Sequence, residues 1–277
     1  MPPSPVRPQL LTILVAAVVH LAAVVFLMFE FQNHMMFPTH AVASPGPLPS
    51  GATRHSIPAS GGDTLHGVHI APSSPPGPGK RVLILGFGGN AWNAEDAASY
   101  LHKVYPSADI IAFHYRGYRP STGTPSAEAL IEDAPLVFDF AVSTVHPDQT
   151  IAVGFSIGSG VAASLASQRP VDGLILVTPF DSLKAVASDL YPLLPVAAFF
   201  HDDMAAATAL KHSKVPTAII AAAHDEIVPR RRTDGLRASV GKLVFDQTIA
   251  RAGHNDIYAR SAFQQAMDDA LGAVSKG

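Results

Sequence analysis

The chain has 277 residues, 15% of them charged, with a formal net charge of -3 at pH 7; that is enough for one sizeable α/β domain with an appendage and too little for two ordinary domains and a linker. No basic block of the kind that tracks a phosphate backbone is present, so the charge pattern does not point to nucleic acid. Cysteine is absent, which excludes a disulfide framework, a thiolate zinc site, a cysteine nucleophile and a lipoprotein anchor, and leaves the redox compartment open.

From Leu10 to Phe29 the chain reads LLTILVAAVVHLAAVVFLMF, with no formal charge and one interruption of note, His20. A helix of about 20 residues spans about 30 Å, one hydrocarbon core, so a transmembrane signal anchor is expected over residues 10–31. Ala41-Val42-Ala43 resembles a signal cleavage site, but the apolar run is longer than a usual signal-peptide core and the site lies well past its end. Arg7 precedes the run, whereas Glu30 follows it and no Lys or Arg comes before Arg54. The positive-inside rule then puts residues 1–9 in the cytoplasm and the domain beyond the span on the periplasmic or extracellular side. Residues 32–53, rich in Pro, Ser, Gly and Ala from Pro38 onward, read as a linker.

The domain expected over 54–277 opens with short strands around His55–Ala59 and Leu65–Ala71, separated by Ser60-Gly61-Gly62-Asp63 and closed by the Pro/Gly loop Pro72–Gly79. A rhythm of apolar strand and helix follows. Strands are predicted at Arg81–Leu85, Ile110–Tyr115, Ile151–Phe155, Val171–Val177, Thr217–Ala222 and Leu243–Thr248. Helices are predicted at Ala94–Tyr105, at Ser126–Val145 with a kink or break at Pro135, at Ile157–Gln168, and after each of the last two strands. Strands that are apolar throughout and alternate with helices of ten or more residues indicate a mostly parallel sheet covered on both faces. The connection between Val177 and Thr217 is unusually long. Its apolar, Pro-broken content, including Tyr191-Pro192-Leu193-Leu194-Pro195 and Phe199-Phe200, fits a small lid at about 184–212.

Chemistry is expected at the carboxyl ends of such strands. The run Ile151-Ala152-Val153 leads into Gly154-Phe155-Ser156-Ile157-Gly158 and a small-residue helix, the strand–turn–helix context of a G-x-S-x-G nucleophile elbow. The pentapeptide alone is a common chance match; its flanks and downstream partners give it weight. Gly154 and Gly158 let neighbouring backbone pass close to the turn, and the N–H of Ile157 would face an oxyanion at the start of the helix. After the first apolar strand comes Gly86-Phe87-Gly88-Gly89-Asn90, which offers the N–H of Asn90 as a second oxyanion donor. A dinucleotide fingerprint fits less well: the third glycine position is Ala91, and His114-Tyr115-Arg116 stands where the ribose-binding acid belongs. Asp225, or less favourably Glu226, follows the strand Thr217–Ala222, and His254 follows Leu243–Thr248 on a Gly-flanked loop. The chain order Ser156, Asp225, His254 is that of a Ser-His-Asp hydrolase built on this kind of sheet.

On these motifs the sequence resembles the α/β-hydrolase superfamily, and within it the membrane-anchored branch with a minimal cap that includes lysophospholipid lipases and protein depalmitoylases. The resemblance runs from about Val82 to Tyr258 and is carried by the elbow, Phe87-Gly88-Gly89-Asn90-Ala91-Trp92-Asn93, Tyr115-Arg116-Gly117-Tyr118, Thr178-Pro179-Phe180-Asp181-Ser182, Asp225-Glu226-Ile227-Val228-Pro229 and Gly253-His254-Asn255. It implies Ser156, Asp225 and His254 as a triad and Asn90 and Ile157 as oxyanion donors. Gly88 stands where this branch usually has His, Arg119 replaces a usual Gly, and Ala221-Ala222 replaces a usual His-Gly. Arg116, in a tight loop, reads as a structural cation beneath the site.

The expected fold is thus an α/β-hydrolase sheet of about eight strands, with a small lid, behind one transmembrane helix. The expected activity is serine hydrolysis of an ester, thioester or amide in a small-molecule substrate, lipids included, with no metal and no organic cofactor, contact with the membrane through residues 10–31 and none with nucleic acid. The alternatives are a non-catalytic membrane-tethered binding protein on the same fold, or an acyltransferase in which another acceptor replaces water.

Overall fold

The computed structural model of the chain describes residues 8–73, 80–192 and 203–276. Two units are distinguished, Met1–Pro38 and Thr39–Gly277. The first contains the helix α1, Pro8–Met36. Leu10, Leu11, Ile13, Leu14, Val18 and Val19 on it are exposed. Among the described residues, no helix is long and apolar enough to cross a membrane. The expected anchor falls within α1, and its side chains at 21 and 25–31 lie outside the described residues.

In the second unit the chain runs β1 (Ala52–Pro58), β2 (Thr64–Ile70), β3 (Val82–Phe87), α2 (Ala94–Val104), β4 (Asp109–Phe113), α3 (Ala127–Val145), β5 (Gln149–Phe155) and α4 (Ile157–Ala166). It continues through β6 (Gly173–Val177), α5 (Leu183–Leu190), α6 (Ala206–Leu210), β7 (Thr217–Ala222), α7 (Arg230–Ser239), β8 (Leu243–Ile249) and α8 (Ser261–Val274). The strands form one eight-stranded sheet in the order β1-β2-β4-β3-β5-β6-β7-β8. β1 and β2 join antiparallel, and β4, β3, β5, β6, β7 and β8 run parallel.

Every residue of β4, β5, β6 and β7 is buried, because helices cover both faces, and this is why these strands are apolar without alternation. On one face Phe263, Ala266, Met267, Ala270 and Val274 of α8 pack with Ile151, Val153, Ile175, Val177, Ala218 and Ile220. Helix starts follow side-chain capping: the Asn93 side chain accepts from the Glu95 N–H at 2.9 Å, and the Ser126 Oγ accepts from the Ala129 N–H at 3.0 Å.

Of the expected kink or break at Pro135, the break does not occur; α3 continues through the proline from Ala127 to Val145. A proline inside a helix costs about 3 kcal/mol. Leu130, Ala134, Val137, Phe138 and Ala141, all buried on the same helix, offset that. The linker expectation is also corrected. Residues from Thr39 onward belong to the folded unit: Leu48 packs against the core, the Ala43 carbonyl accepts from Asn93 Nδ2 at 3.1 Å, and the Gly46 N–H donates to Asp96 Oδ1 at 2.9 Å.

Of the expected lid, residues 193–202 lie outside the described residues. Its roots are pinned. Asp203 accepts from Ser182 Oγ at 2.7 Å and from the Lys184 N–H at 3.0 Å, and Arg232 of α7 binds Asp189 and Asp181 at 2.7 and 3.2 Å.

From β3 the chain steps to β4 on one side, then crosses back over β3 to β5 on the other. Strand order therefore reverses between β3 and β5, and a crevice opens beyond the carboxyl ends of these two strands. Those ends carry Gly88-Gly89-Asn90 and Ser156.

Candidate active site

Ser156 occupies the turn between β5 and α4 with φ 51° and ψ −116°. This is a strained conformation for a residue with a Cβ, costing on the order of 1–3 kcal/mol, and it lifts the side chain off the sheet. Its neighbours explain the flanking glycines. A Cβ on Gly154 would stand 2.3 Å from the Gly158 carbonyl oxygen, and one on Gly158 would stand 2.1 Å from that of Phe87. The turn closes only because both are absent. The Ser156 N–H donates to the Val177 carbonyl at 2.9 Å, and the Ser156 carbonyl accepts from both the N–H and Oγ of Ser159.

The other two sequence-predicted side chains converge on this turn. His254 Nε2 lies 2.9 Å from Ser156 Oγ, and His254 Nδ1 lies 2.9 Å from each carboxylate oxygen of Asp225. With Nδ1 donating to a carboxylate, Nε2 is left as an acceptor toward the hydroxyl. The His254 and Asp225 side chains are almost fully buried. Asp225 is itself fixed, its Oδ1 accepting from the N–H groups of Ile227 and Val228 at 3.0 and 2.7 Å. Glu226, the alternative acid, does not touch the ring; its Oε2 accepts from the backbone N–H of His254 at 3.0 Å.

Ile157 opens α4, so its N–H is among those with no acceptor inside the helix. Gly89 brings the β3 loop to the same place, since a Cβ there would lie 3.9 Å from Ser156 Cβ. Asn90 follows it, and the loop is tied down on both sides. Tyr115 OH donates to the Gly88 carbonyl at 2.8 Å and Tyr118 OH donates to Asn90 Oδ1 at 2.7 Å. Burial pushes both phenols above their ordinary range, so they stay protonated donors. In the sequence the Tyr-Arg-Gly-Tyr stretch is only a pattern, with nothing that assigns its tyrosines this task. Arg116, between them, makes a two-pronged ion pair with Asp133, with Nε–Oδ2 at 3.1 Å, away from the serine.

Above Ser156 lies an open cleft of about 410 Å³ lined by Gly89, Asn90, Ala91, Trp92, Ile227, His254, Asn255 and Tyr258. Trp92 packs edge-on against Phe155 with ring centroids 5.1 Å apart and lies 5.3 Å from Tyr258. The aromatic floor rests directly on the end of β5, the strand that leads into Ser156. Apart from His254, no titratable side chain other than the phenol of Tyr258 lines the cleft among the described residues.

A family profile described as alpha/beta hydrolase fold matches residues 82–215, a stretch that includes Ser156. An uncharacterized protein of Mycobacterium tuberculosis is 29% identical over 253 residues, covering 87% of this chain and 86% of its own length. The lysophosphatidylserine lipase ABHD12 of Mus musculus is 31% identical over 170 residues, 54% of this chain and 43% of that protein, so the chain spans under half of it. Among solved structures, an alpha-beta hydrolase from Vibrio vulnificus superposes with a TM-score of 0.66 at 20% identity, over 88% of this chain and 92% of the other. An esterase of Pyrococcus furiosus superposes with a TM-score of 0.65 at 15% identity, over 83% and 95%. At these identities the solved structures speak for the fold.

Proposed function

We propose that this chain, a member of the α/β-hydrolase superfamily, is a serine hydrolase that cleaves a carboxylic ester, thioester or amide through an acyl-enzyme. The observation that carries the reading is the unbroken relay from Ser156 Oγ through the His254 ring to the Asp225 carboxylate, with every link at 2.9 Å.

In this mechanism His254 Nε2 takes the hydroxyl proton as Ser156 Oγ attacks the carbonyl carbon. Asp225 holds the ring in the right tautomer and stabilises the imidazolium. The N–H groups of Ile157 and Asn90 receive the negative charge on the former carbonyl oxygen. His254 then passes the proton to the departing alcohol, thiol or amine. Water, deprotonated by the same ring, releases the acyl group and restores Ser156. The uncharged, aromatic cleft favours an apolar acyl group at the reacting end, and the likeness to a lysophosphatidylserine lipase supports a lipid or other acyl ester as substrate. We read residues 10–31 as a membrane anchor on the strength of the uncharged run Leu10–Phe29 within them, with the catalytic unit on the extracytoplasmic side.

The test is labelling of the purified protein with a fluorophosphonate probe, beside Ser156→Ala and His254→Ala. Labelling that needs both residues, followed by turnover of p-nitrophenyl esters, supports the reading; labelling that persists in Ser156→Ala overturns it. Extraction of membranes at alkaline pH tests the anchor, which fails if the full chain is released.

A further inference from the structure

We infer that Glu226 is a positioning residue for the proposed hydrolysis: its carboxylate anchors the backbone of His254, so that this residue is held at ring and backbone by two consecutive acids. The inference rests on the serine-hydrolase reading and goes beyond it, because that reading assigns Glu226 nothing.

Asp225 and Glu226 follow β7, and His254 sits on the loop after the edge strand β8, 28 residues beyond Glu226. The two loops meet at three places. The His224 N–H donates to the Ala252 carbonyl at 2.8 Å, the His254 N–H donates to Glu226 Oε2 at 3.0 Å, and His254 Nδ1 meets the Asp225 carboxylate. The Asp225 carboxylate at Nδ1 sets the tautomer but leaves the ring free to move with its Cα. Holding the N–H of the same residue removes that freedom, so Nε2 stays on Ser156 Oγ. β8 gives the loop little support of its own, since only Ile249 among its residues is buried.

Sterics mark the same contact. A Cβ on Gly253 would stand 2.8 Å from Glu226 Oε2, so the carboxylate packs against the bare backbone just before His254. Gly253 has no positive φ. Alanine there leaves the backbone unstrained and displaces only the end of a flexible side chain.

The required property is an acceptor at this point rather than a charge, because Glu226 is exposed and its field is screened. Glu226→Gln keeps an acceptor oxygen and Glu226→Ala removes it. In the full-length protein, using a p-nitrophenyl ester, Glu226→Ala should lower kcat by about tenfold with KM unchanged. Glu226→Gln should stay within about twofold of the parent with the acid limb of its pH profile unmoved. Gly253→Ala should reproduce part of the loss in the parent and none in the Glu226→Ala background.

Failure to label the parent protein with fluorophosphonate defeats the underlying reading. A labelled, active parent whose Glu226→Ala variant keeps full kcat defeats only the anchor. So does a Gln variant as impaired as Ala, or additive losses from Gly253→Ala and Glu226→Ala. If Glu226→Ala does not fold, the Gln variant and Gly253→Ala still decide: an unchanged kcat in Gly253→Ala overturns the anchor, and a fall with the melting temperature retained supports it.

Discussion

His254 Nε2 lies 2.9 Å from the Oγ of Ser156, 98 residues earlier in the chain, while Ser156 itself holds φ at 51°. Reach toward the imidazole and backbone strain are thus combined in one residue. Ser156→Ala removes the hydroxyl and keeps the strain; Ser156→Gly removes both. Both variants should be inactive and folded, with Ser156→Gly more stable than Ser156→Ala by about 1 kcal/mol. Urea unfolding of the pair measures this, and equal midpoints would mean that the turn is relaxed.

Two glycines beside the site should respond in opposite ways. A Cβ at Gly158 would lie 2.1 Å from a backbone oxygen of β3, whereas one at Gly89 would meet nothing nearer than 3.8 Å. Gly158→Ala should therefore lose stability by about 2–3 kcal/mol together with activity. Gly89→Ala should keep its melting temperature and lose kcat/KM, because the added methyl faces Ser156. Thermal melts run beside ester kinetics separate the two outcomes.

The loop carrying Asn90 is held by Tyr118 through the Asn90 side chain, while the proposed oxyanion donor is its backbone. Asn90→Ala and Tyr118→Phe should then give similar, partial losses of kcat, about three- to tenfold, each with about 1 kcal/mol of stability, and the double variant should be little worse. A loss above a hundredfold in Asn90→Ala alone would mean that the side chain, and not the N–H, meets the substrate.

His114, buried at the end of β4, has its imidazole held down to about 4 by burial, against the pull of Glu95. A histidine that binds its proton less readily when folded contributes stability above its ordinary value near 6.5, and loses that contribution as pH falls toward 4. The shift corresponds to about 3 kcal/mol at most. Stability should decline between pH 6.5 and 4, and His114→Gln should flatten that decline. Urea midpoints at pH 7 and 4.5 for both proteins provide the check; an equal drop in each would place the acid sensitivity elsewhere.

The central sheet was legible because strands covered on both faces must be apolar throughout, and Thr217–Ala222 was bounded to the residue on that ground. The three side chains of the relay were legible because parallel strands deliver them to the same edge. What stayed hidden depends on single contacts across long separations. Pro135 read as a kink or a break, and the continuity of the helix stayed hidden because the packing of Phe138 and Ala141 is not a local property of it. Tyr115 and Tyr118 read only as a pattern, since nothing in the sequence indicates that their hydroxyls reach back to Gly88 and Asn90. Glu226 competed with Asp225 for one role, although adjacent residues on a turn can serve two.

The contact of Ala43 and Gly46 with Asn93 and Asp96 decides where this protein can be cut. Composition suggests trimming up to residue 53, in the Pro-rich stretch. That cut would strip a carbonyl from Asn93 and an N–H from Asp96 at the first turn of α2, one residue from Trp92 in the floor of the cleft. A cut before Thr39 leaves both in place. The stretch 39–53 thus belongs to the folded unit rather than to whatever precedes it, and a shortened chain keeps the first turn of α2 intact only if it keeps that stretch.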